Sequence, residues 1–410
     1  MSPRLGHDLR QTSSNGEEFV STVEIRNGTS QYRASFLNHM KAVAVNPRKR
    51  AVGVITDHPA PSISSPTEVK FRILEVGICG TDREICRFDY GNPPGGFEHL
   101  VLGHEGLGVV TEVGPGVKSL KVGDLVVPMV RRPCPHEHCL PCRDDRSDFC
   151  TTGDFVERGI KERHGFMTEN VVDEERYLTY VPPELRDVAV LMEPLTVAEK
   201  ALIELQHIQG RLNWNCPATG KERHYCHKAV VLGAGPIGIL GAMAFKVAGF
   251  DTYVYSRSKK PNRKAQVVES FGVPYISSEE VTPKQLAERL GNIDVVYEGV
   301  GGAKIAFEVL QVLGMNGVFI FTGIPGFPLP HLSLDAEFIM RNMVLKNQVA
   351  LGTVNAGPDA FAAAIRDLGV FMERWPDAIR SVITGRHKLE NAKDLLIGKP
   401  EGIKNVLAFS

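Results

Sequence analysis

The chain has almost no net charge. Its 47 lysines and arginines face 48 aspartates and glutamates, for a formal charge of −1. The signs are mixed along the chain, so there is no basic stripe to follow a phosphate backbone, and nucleic acid is excluded as an expected partner. The first 39 residues lack a continuous apolar run and contain Glu17, Glu18 and Glu24. That excludes a secretory signal and argues against a transit peptide. Residues 1–39 therefore read as a poorly ordered extension, with Met40 opening the first strand, KAVAV, and itself able to serve as a start of translation. Without an export signal, the acceptor sequence Asn27-Gly-Thr29 reads as accidental. Long uninterrupted apolar segments are missing as well. Residues 229–250 come closest, but they divide into a β-branched strand, a glycine turn and a helix carrying Lys246, so no membrane span is expected.

What is present is enough for more than one core. At 410 residues with 43% hydrophobic content, two domains are expected. Cysteine is concentrated: of 8, Cys134, Cys139, Cys142 and Cys150 share the segment RRPCPHEHCLPCRDDRSDFC. The spacing C-x4-C-x2-C-x7-C suits four thiolates about 2.3 Å from one zinc ion in a structural lobe, with disulfides or plain packing as the alternative. His136 and His138 lie in the x4 gap, so the first ligand is either Cys134 or an imidazole. Cys216 and Cys226, in NWNCPATGKERHYCHK, read as a buried or linker pair.

The apolar segment carries Gly233-Ala-Gly235-Pro236-Ile237-Gly238 between a strand and a helix. In that setting the first glycine permits the tight turn, the second admits a pyrophosphate to the backbone, and the third lets helix and strand pack closely. The helix N-terminus then faces the phosphates. The next strand, DTYVYS, lacks the carboxylate that would hold an adenosine ribose and instead runs into Ser256, Arg257 and Ser258. Nothing there repels a 2′-phosphate and Arg257 can pair with it, so NADP is the expected cofactor, with NAD also open. IDVVYEGVGG and GVFIFTGIPG continue a parallel α/β sheet. Before this region VGICGTDREIC supplies Cys79 and Thr81, and VLGHEGLGVV supplies His104 and Glu105, while LMEPLTVAEKA brings Glu193. A thiolate, an imidazole and a carboxylate from distant segments are the mixed set expected of a catalytic zinc with one open position.

From about Met40 onward the chain resembles the zinc-containing medium-chain alcohol dehydrogenases, through Gly77-Ile-Cys79-Gly-Thr-Asp82, Gly103-His-Glu105-Gly, Val113-Gly-Pro-Gly-Val117, the four-cysteine lobe and the glycine turn. Within them it is most similar to the microbial glucose 1-dehydrogenases, through Arg131-Arg-Pro133, Asp148-Phe-Cys150, Gly165-Phe-Met167, Glu193-Pro-Leu195 and Gly352-Thr-Val-Asn355. The lobe departs from the family pattern, which has x2 rather than x4 between the first two cysteines. The resemblance implies an α/β fold with two parts. A GroES-like, β-rich catalytic domain would take residues 40–205 and 350–410, with the zinc lobe around 131–150. A doubly wound parallel-sheet Rossmann domain would take 206–349. It also implies a homo-oligomer, commonly a tetramer, and a soluble cytoplasmic enzyme.

Carried over by position, Cys79 and His104 are implied catalytic zinc ligands, with Glu105 and Glu193 sharing the remaining places. Thr81 would relay the substrate proton, while Glu157, Glu193 and Asn355 would hold sugar hydroxyls. Thr322, Gly323 and Asn355 join the implied cofactor contacts. The expected reaction is oxidation of an aldose, foremost D-glucose, at C1 to the aldonolactone, with one catalytic and one structural zinc. Dehydrogenases of polyols, L-threonine or simple alcohols are the near alternatives. A non-catalytic nucleotide- and zinc-binding protein, or a redox sensor working through its zinc lobe, are the distant ones.

Overall fold

The computed structural model describes residues 39–217, 224–326, 331–398 and 400–409. The expected extension lies outside them except for His39, which opens the strand His39–Asn46.

Of the four sheets among the described residues, the two largest organise the rest. The strands Lys228–Leu232, Asp251–Ser256, Tyr275–Ser277, Val295–Glu298, Val318–Phe321 and Val349–Gly352 are parallel throughout, in spatial order third, second, first, fourth, fifth, sixth. This is the doubly wound arrangement the glycine turn implied, and the order reverses beside Lys228–Leu232, where such sheets open a crevice at their C-terminal ends. The strands are apolar in runs, because helices cover both faces. The sixth strand carries the sheet to Gly352, past the expected boundary at 349.

The second sheet is mainly antiparallel and runs Leu178–Val181, Leu125–Pro128, Glu105–Val113, Glu68–Gly77, Lys404–Ala408, Ile383–Lys388, with Asn170–Glu174 also pairing with Glu68–Gly77. Segments before and after the parallel sheet thus share one layer. The helices Met192–Gln209 and Pro358–Arg374 pack together and join the two parts. One continuous core runs from Leu107 and Val127, through Leu195 and Leu202, to Phe245 and Tyr297. Each large side chain buried there contributes about 1.5–3 kcal/mol. No helix among the described residues is long and apolar enough to cross a membrane.

The β-rich part also buries charge. Asp173, on Asn170–Glu174, is 1% exposed, accepts from Arg158 Nε at 3.0 Å and Nη2 at 2.8 Å, and is paired with Arg132. Arg132 lies over the ring of Tyr177, and both arginines are buried. Burial opposes ionisation of Asp173, yet Arg158 and Arg132 outweigh it and hold the carboxyl well below its ordinary range. Asp173→Asn would leave two buried guanidinium groups without a counter-charge. The expected loss is about 3–5 kcal/mol in denaturant unfolding, whereas a loss below about 1 kcal/mol, the usual worth of an exposed pair, would show the cluster to be solvated.

Candidate active site and zinc centres

The helix Gly80–Cys86 starts at Cys79, whose backbone N–H donates to Asp82 Oδ2 at 2.9 Å in a capping box. The other Asp82 oxygen accepts from Gly103 N at 3.2 Å and lies 3.4 Å from His104 Nδ1. Asp82 is fully buried. One carboxylate therefore ties the loop that presents Cys79 to the loop that presents His104. Gly103 has φ +88°, and a Cβ there would lie 2.6 Å from Met167, so this close approach needs glycine.

Donor atoms of Cys79, His104 and Glu105 lie within 4.8 Å of one another. Glu193, in the first turn of Met192–Gln209, stands outside that group but close enough to share its charge balance with His104, Glu105 and Lys404. Burial lowers the tendency of His104 to carry charge, but Asp82 and Cys79 outweigh it and raise the imidazole pKa well above its ordinary value. Burial and the neighbouring Glu105 push the Glu193 carboxyl up to about 7, against the pull of His104. The pocket holds more anionic donors than it can comfortably ionise, which is the condition a divalent cation relieves. With Nδ1 facing Asp82, Nε2 is the nitrogen left to His104 for a metal, in the carboxylate–histidine arrangement that orients ligating rings. The residues fit a zinc ion.

Sequence reasoning passed over Asp82 as a site residue, although the Cys79-x-x-Asp82 spacing is a capping signal. It also passed over Lys404. Lys404 is buried on Lys404–Ala408, donates to Ile78 O at 3.1 Å and is paired with Glu105. Burial opposes its charge, but Glu105 and Cys79 outweigh it and raise its pKa. Gly77 makes room for this pair, since a Cβ there would sit 2.0 Å from Glu105 Oε2 and 2.8 Å from Lys404 Cε.

The four cysteines of the lobe come together. Sulfurs of Cys134, Cys139, Cys142 and Cys150 lie within 4.8 Å of one another, and none of these cysteines is in a disulfide. Cys139 Sγ and Cys150 Sγ are 3.9 Å apart, against about 3.8 Å for two vertices of a tetrahedral zinc site. His136 is engaged elsewhere, with Nε2 2.6 Å from Asp154 Oδ2. The x4 gap is thus accommodated, with Cys134 in the set. The hydroxyl of Thr151 lowers the Cys139 pKa, while burial raises that of Cys142. Metal coordination would ionise the set together.

At the C-terminal end of the parallel sheet, Gly233 has φ +99°, and Gly235 precedes the helix Pro236–Val247, in which Ile237 follows Pro236. A Cβ on Gly238 would lie 2.2 Å from Gly233 O. Ser256 ends its strand, and Arg257 and Ser258 are exposed beyond it. Ser277 Oγ donates to Arg257 O at 2.9 Å and Tyr275 Oη to Ser258 O at 2.8 Å, so the basic loop is held in place. Thr322 Oγ1 donates to Glu298 O at 2.6 Å. Glu298 itself is buried and accepts from the N–H groups of Val300 and Gly301, each at 2.8 Å, and of Gly323 at 3.2 Å. It joins the two loops that follow Val295–Glu298 and Val318–Phe321, a role its sequence did not signal. The loop that follows Val318–Phe321 approaches the Cys79 helix, for a Cβ on Gly326 would lie 3.4 Å from Glu84 Oε1.

Glu157 and Asn355, far apart in sequence, meet directly. Asn355 has φ +59° and its Nδ2 donates to Glu157 Oε1 at 3.0 Å. Arg131 donates to the same oxygen from Nε and Nη2 at 3.1 and 3.0 Å. Alongside, Lys200 Nζ is 2.8 Å from Asp148 Oδ2 and donates to Val354 O at 3.1 Å.

Asp82→Asn is expected to keep the fold, by circular dichroism, but to weaken retention of the catalytic zinc by about 10–100-fold in dialysis against a chelator. Unchanged zinc retention would reduce Asp82 to a helix cap.

The glucose dehydrogenase C-terminus family matches residues 186–409, and the alcohol dehydrogenase GroES-like domain matches residues 65–183. The glucose 1-dehydrogenase of Methanocella arvoryzae is 36% identical over 367 residues, covering 89% of this chain and 98% of that protein. Glucose 1-dehydrogenase 1 of Caldivirga maquilingensis is 36% identical over 378 residues, covering 90% and 99%. The glucose dehydrogenase of Haloferax mediterranei, solved in complex with NADP, zinc and gluconolactone, superposes with a TM-score of 0.79 at 31% identity, covering 90% of this chain and 99% of its own.

Proposed function

The chain belongs to the glucose dehydrogenase family of GroES-like alcohol dehydrogenases, and we propose that it oxidises D-glucose, or a close aldose, at C1 to the aldonolactone. It is a zinc-dependent oxidoreductase with NADP as hydride acceptor. The observation that carries the reading is the convergence of Cys79, His104 and Glu105 in a protein whose relative of known structure was solved with NADP, zinc and gluconolactone. We assign the catalytic zinc to Cys79 and His104 with Glu105 and Glu193 as the acidic partners, and the structural zinc to the four-cysteine lobe.

When both groups are bound, zinc supplies Lewis acidity at the C1 hydroxyl and the nicotinamide supplies a hydride acceptor. The chain's own residues do the rest. Thr81, on the Cys79 helix, takes the C1 hydroxyl proton at Oγ1 and passes it outward. Beside it stands Tyr90, whose hydroxyl donates to Glu84 Oε2 at 3.2 Å. Glu157 has Oε1 committed to Arg131 and Asn355, so Oε2 is the oxygen offered to a sugar hydroxyl. A site furnished this way discriminates against a substrate that leaves its polar groups unpaired. Arg257, on its fixed loop, pairs with the 2′-phosphate. Lys404 neutralises Glu105, and so moderates how much negative charge the pocket presents to the metal.

We further propose a homo-oligomer in the cytoplasm. Val349–Gly352 is an edge strand of the parallel sheet. Beside it in sequence, the helix Ala336–Leu345 exposes Met340, Val344 and Leu345 at 65%, 71% and 61%. Light scattering should give a mass above 45.0 kDa, reduced by Val344→Glu; a monomeric wild type would discard this reading.

The functional test is formation of reduced cofactor with D-glucose, D-galactose, D-xylose, sorbitol, L-threonine and ethanol, each with NADP and NAD. Aldose turnover with NADP is expected, abolished by chelation and lowered about 10²-fold in Thr81→Val. Arg257→Ala should raise KM for NADP and leave that for NAD unchanged. Turnover confined to sorbitol, threonine or ethanol would defeat the sugar assignment, and none at all by folded, zinc-loaded protein would favour a non-catalytic role.

A further inference from the structure

Cys216 and Cys226 take no part in either zinc centre. They form a disulfide just ahead of Lys228–Leu232, at the end of the parallel sheet remote from the glycine turn. Their two sulfurs have different surroundings. Cys226 is exposed, whereas Cys216 is half-buried. Cys216 Sγ accepts from the backbone N–H of Cys226 at 3.1 Å and lies 3.6 Å from His227 Nδ1. The His227 ring is held against Trp214, with centroids 4.3 Å apart. Among the described residues, the donors seen at this disulfide are both aimed at Cys216.

We propose that this disulfide is a reversible exchange site for small-molecule thiols, attacked at Cys226 and opened with Cys216 as the leaving thiolate. Exchange is governed by access to the attacked sulfur and by the stability of the departing thiolate, and both favour the same direction here. An incoming thiolate forms a bond to Cys226 Sγ as the Cys216–Cys226 bond breaks. The electron pair departs on Cys216 Sγ, where the Cys226 N–H and the Nδ1–H tautomer of His227 stabilise it. A second thiol then displaces Cys226 from the mixed disulfide. Two small thiols are oxidised to their disulfide, and the two protons they release return to the reduced cysteine pair. Burial lowers the His227 pKa, so near neutral pH it acts as a hydrogen-bond donor rather than a cation.

The test uses the full-length, zinc-loaded protein and reduced glutathione as the thiol. After a brief reaction, free thiols are alkylated and peptides are mapped without reduction. Lys221 and Arg223 allow trypsin to separate the two cysteines once the disulfide is opened. The expected intermediate carries glutathione on Cys226 and the alkyl label on Cys216. His227→Gln should slow opening about fivefold, through the poorer leaving group, while glucose-dependent turnover, used as the folding control, stays at the wild-type level. Glutathione on Cys216, equal modification of both, an unchanged rate in His227→Gln, or free thiols at both positions in air-exposed wild type would each overturn the proposal.

Discussion

The proposed catalytic pocket depends on the sharing of one buried carboxylate. Asp82 accepts from the amides of Cys79 and Gly103 and faces the ring of His104. A carboxylate away from water is tolerable only when its lone pairs are occupied, and here each partner that occupies them also places a proposed metal donor. The helix Gly80–Cys86 and the turn at Gly103 are therefore held in register by the same interaction. Glu105 follows because it comes directly after His104 on the strand that pairs with Glu68–Gly77. Lys404 follows because Lys404–Ala408 lies on the other side of that strand.

A second layer of buried polar contacts joins the pocket to the rest of the molecule. Asp148 in the cysteine lobe, Lys200 on the long helix and the backbone at Val354 form one chain of contacts. Arg131, Glu157 and Asn355 form another beside it. Burial disfavours ionisation of Asp148, but Arg146 and Lys200 outweigh it and hold its pKa below the ordinary range. The lobe is thus fastened to the segment that leaves the parallel sheet. A structural metal there would steady the residues proposed to hold the sugar as well as its own loop.

The parts legible in sequence were those in which local geometry constrains residue type. Gly233 and Gly238 had to be glycine for steric reasons, and their spacing announced the nucleotide turn. Four clustered cysteines announced the lobe, although the x4 gap left the choice between Cys134 and a histidine to the fold. Cys79, His104 and Glu105 stood in motifs. Lys404 did not, because a single lysine in KNVLA has no local pattern, and its role comes from a strand pairing across most of the chain. The same holds for Asp173 and its arginines, and for Glu298, whose three amide partners come from two loops. The disulfide was legible only as a pair of unassigned cysteines. The parallel sheet ran on to Gly352 because the sixth strand is short and its pattern merges with the segment that follows.

The order of the strands along the chain also bears on how the molecule matures during synthesis. The parallel sheet has all of its strands once Gly352 has left the ribosome, so it can close before synthesis ends. The other sheet cannot. In its strand Glu68–Gly77, Asn170–Glu174 covers one end of the far edge, but the end at Glu75–Gly77 waits for Lys404–Ala408, and Glu105 waits for the ammonium group that the same late strand brings. Until then a nascent chain carries the Glu75–Gly77 end of that edge unpaired and Glu105 without its counter-charge, so this half of the molecule is the last to gain its native contacts.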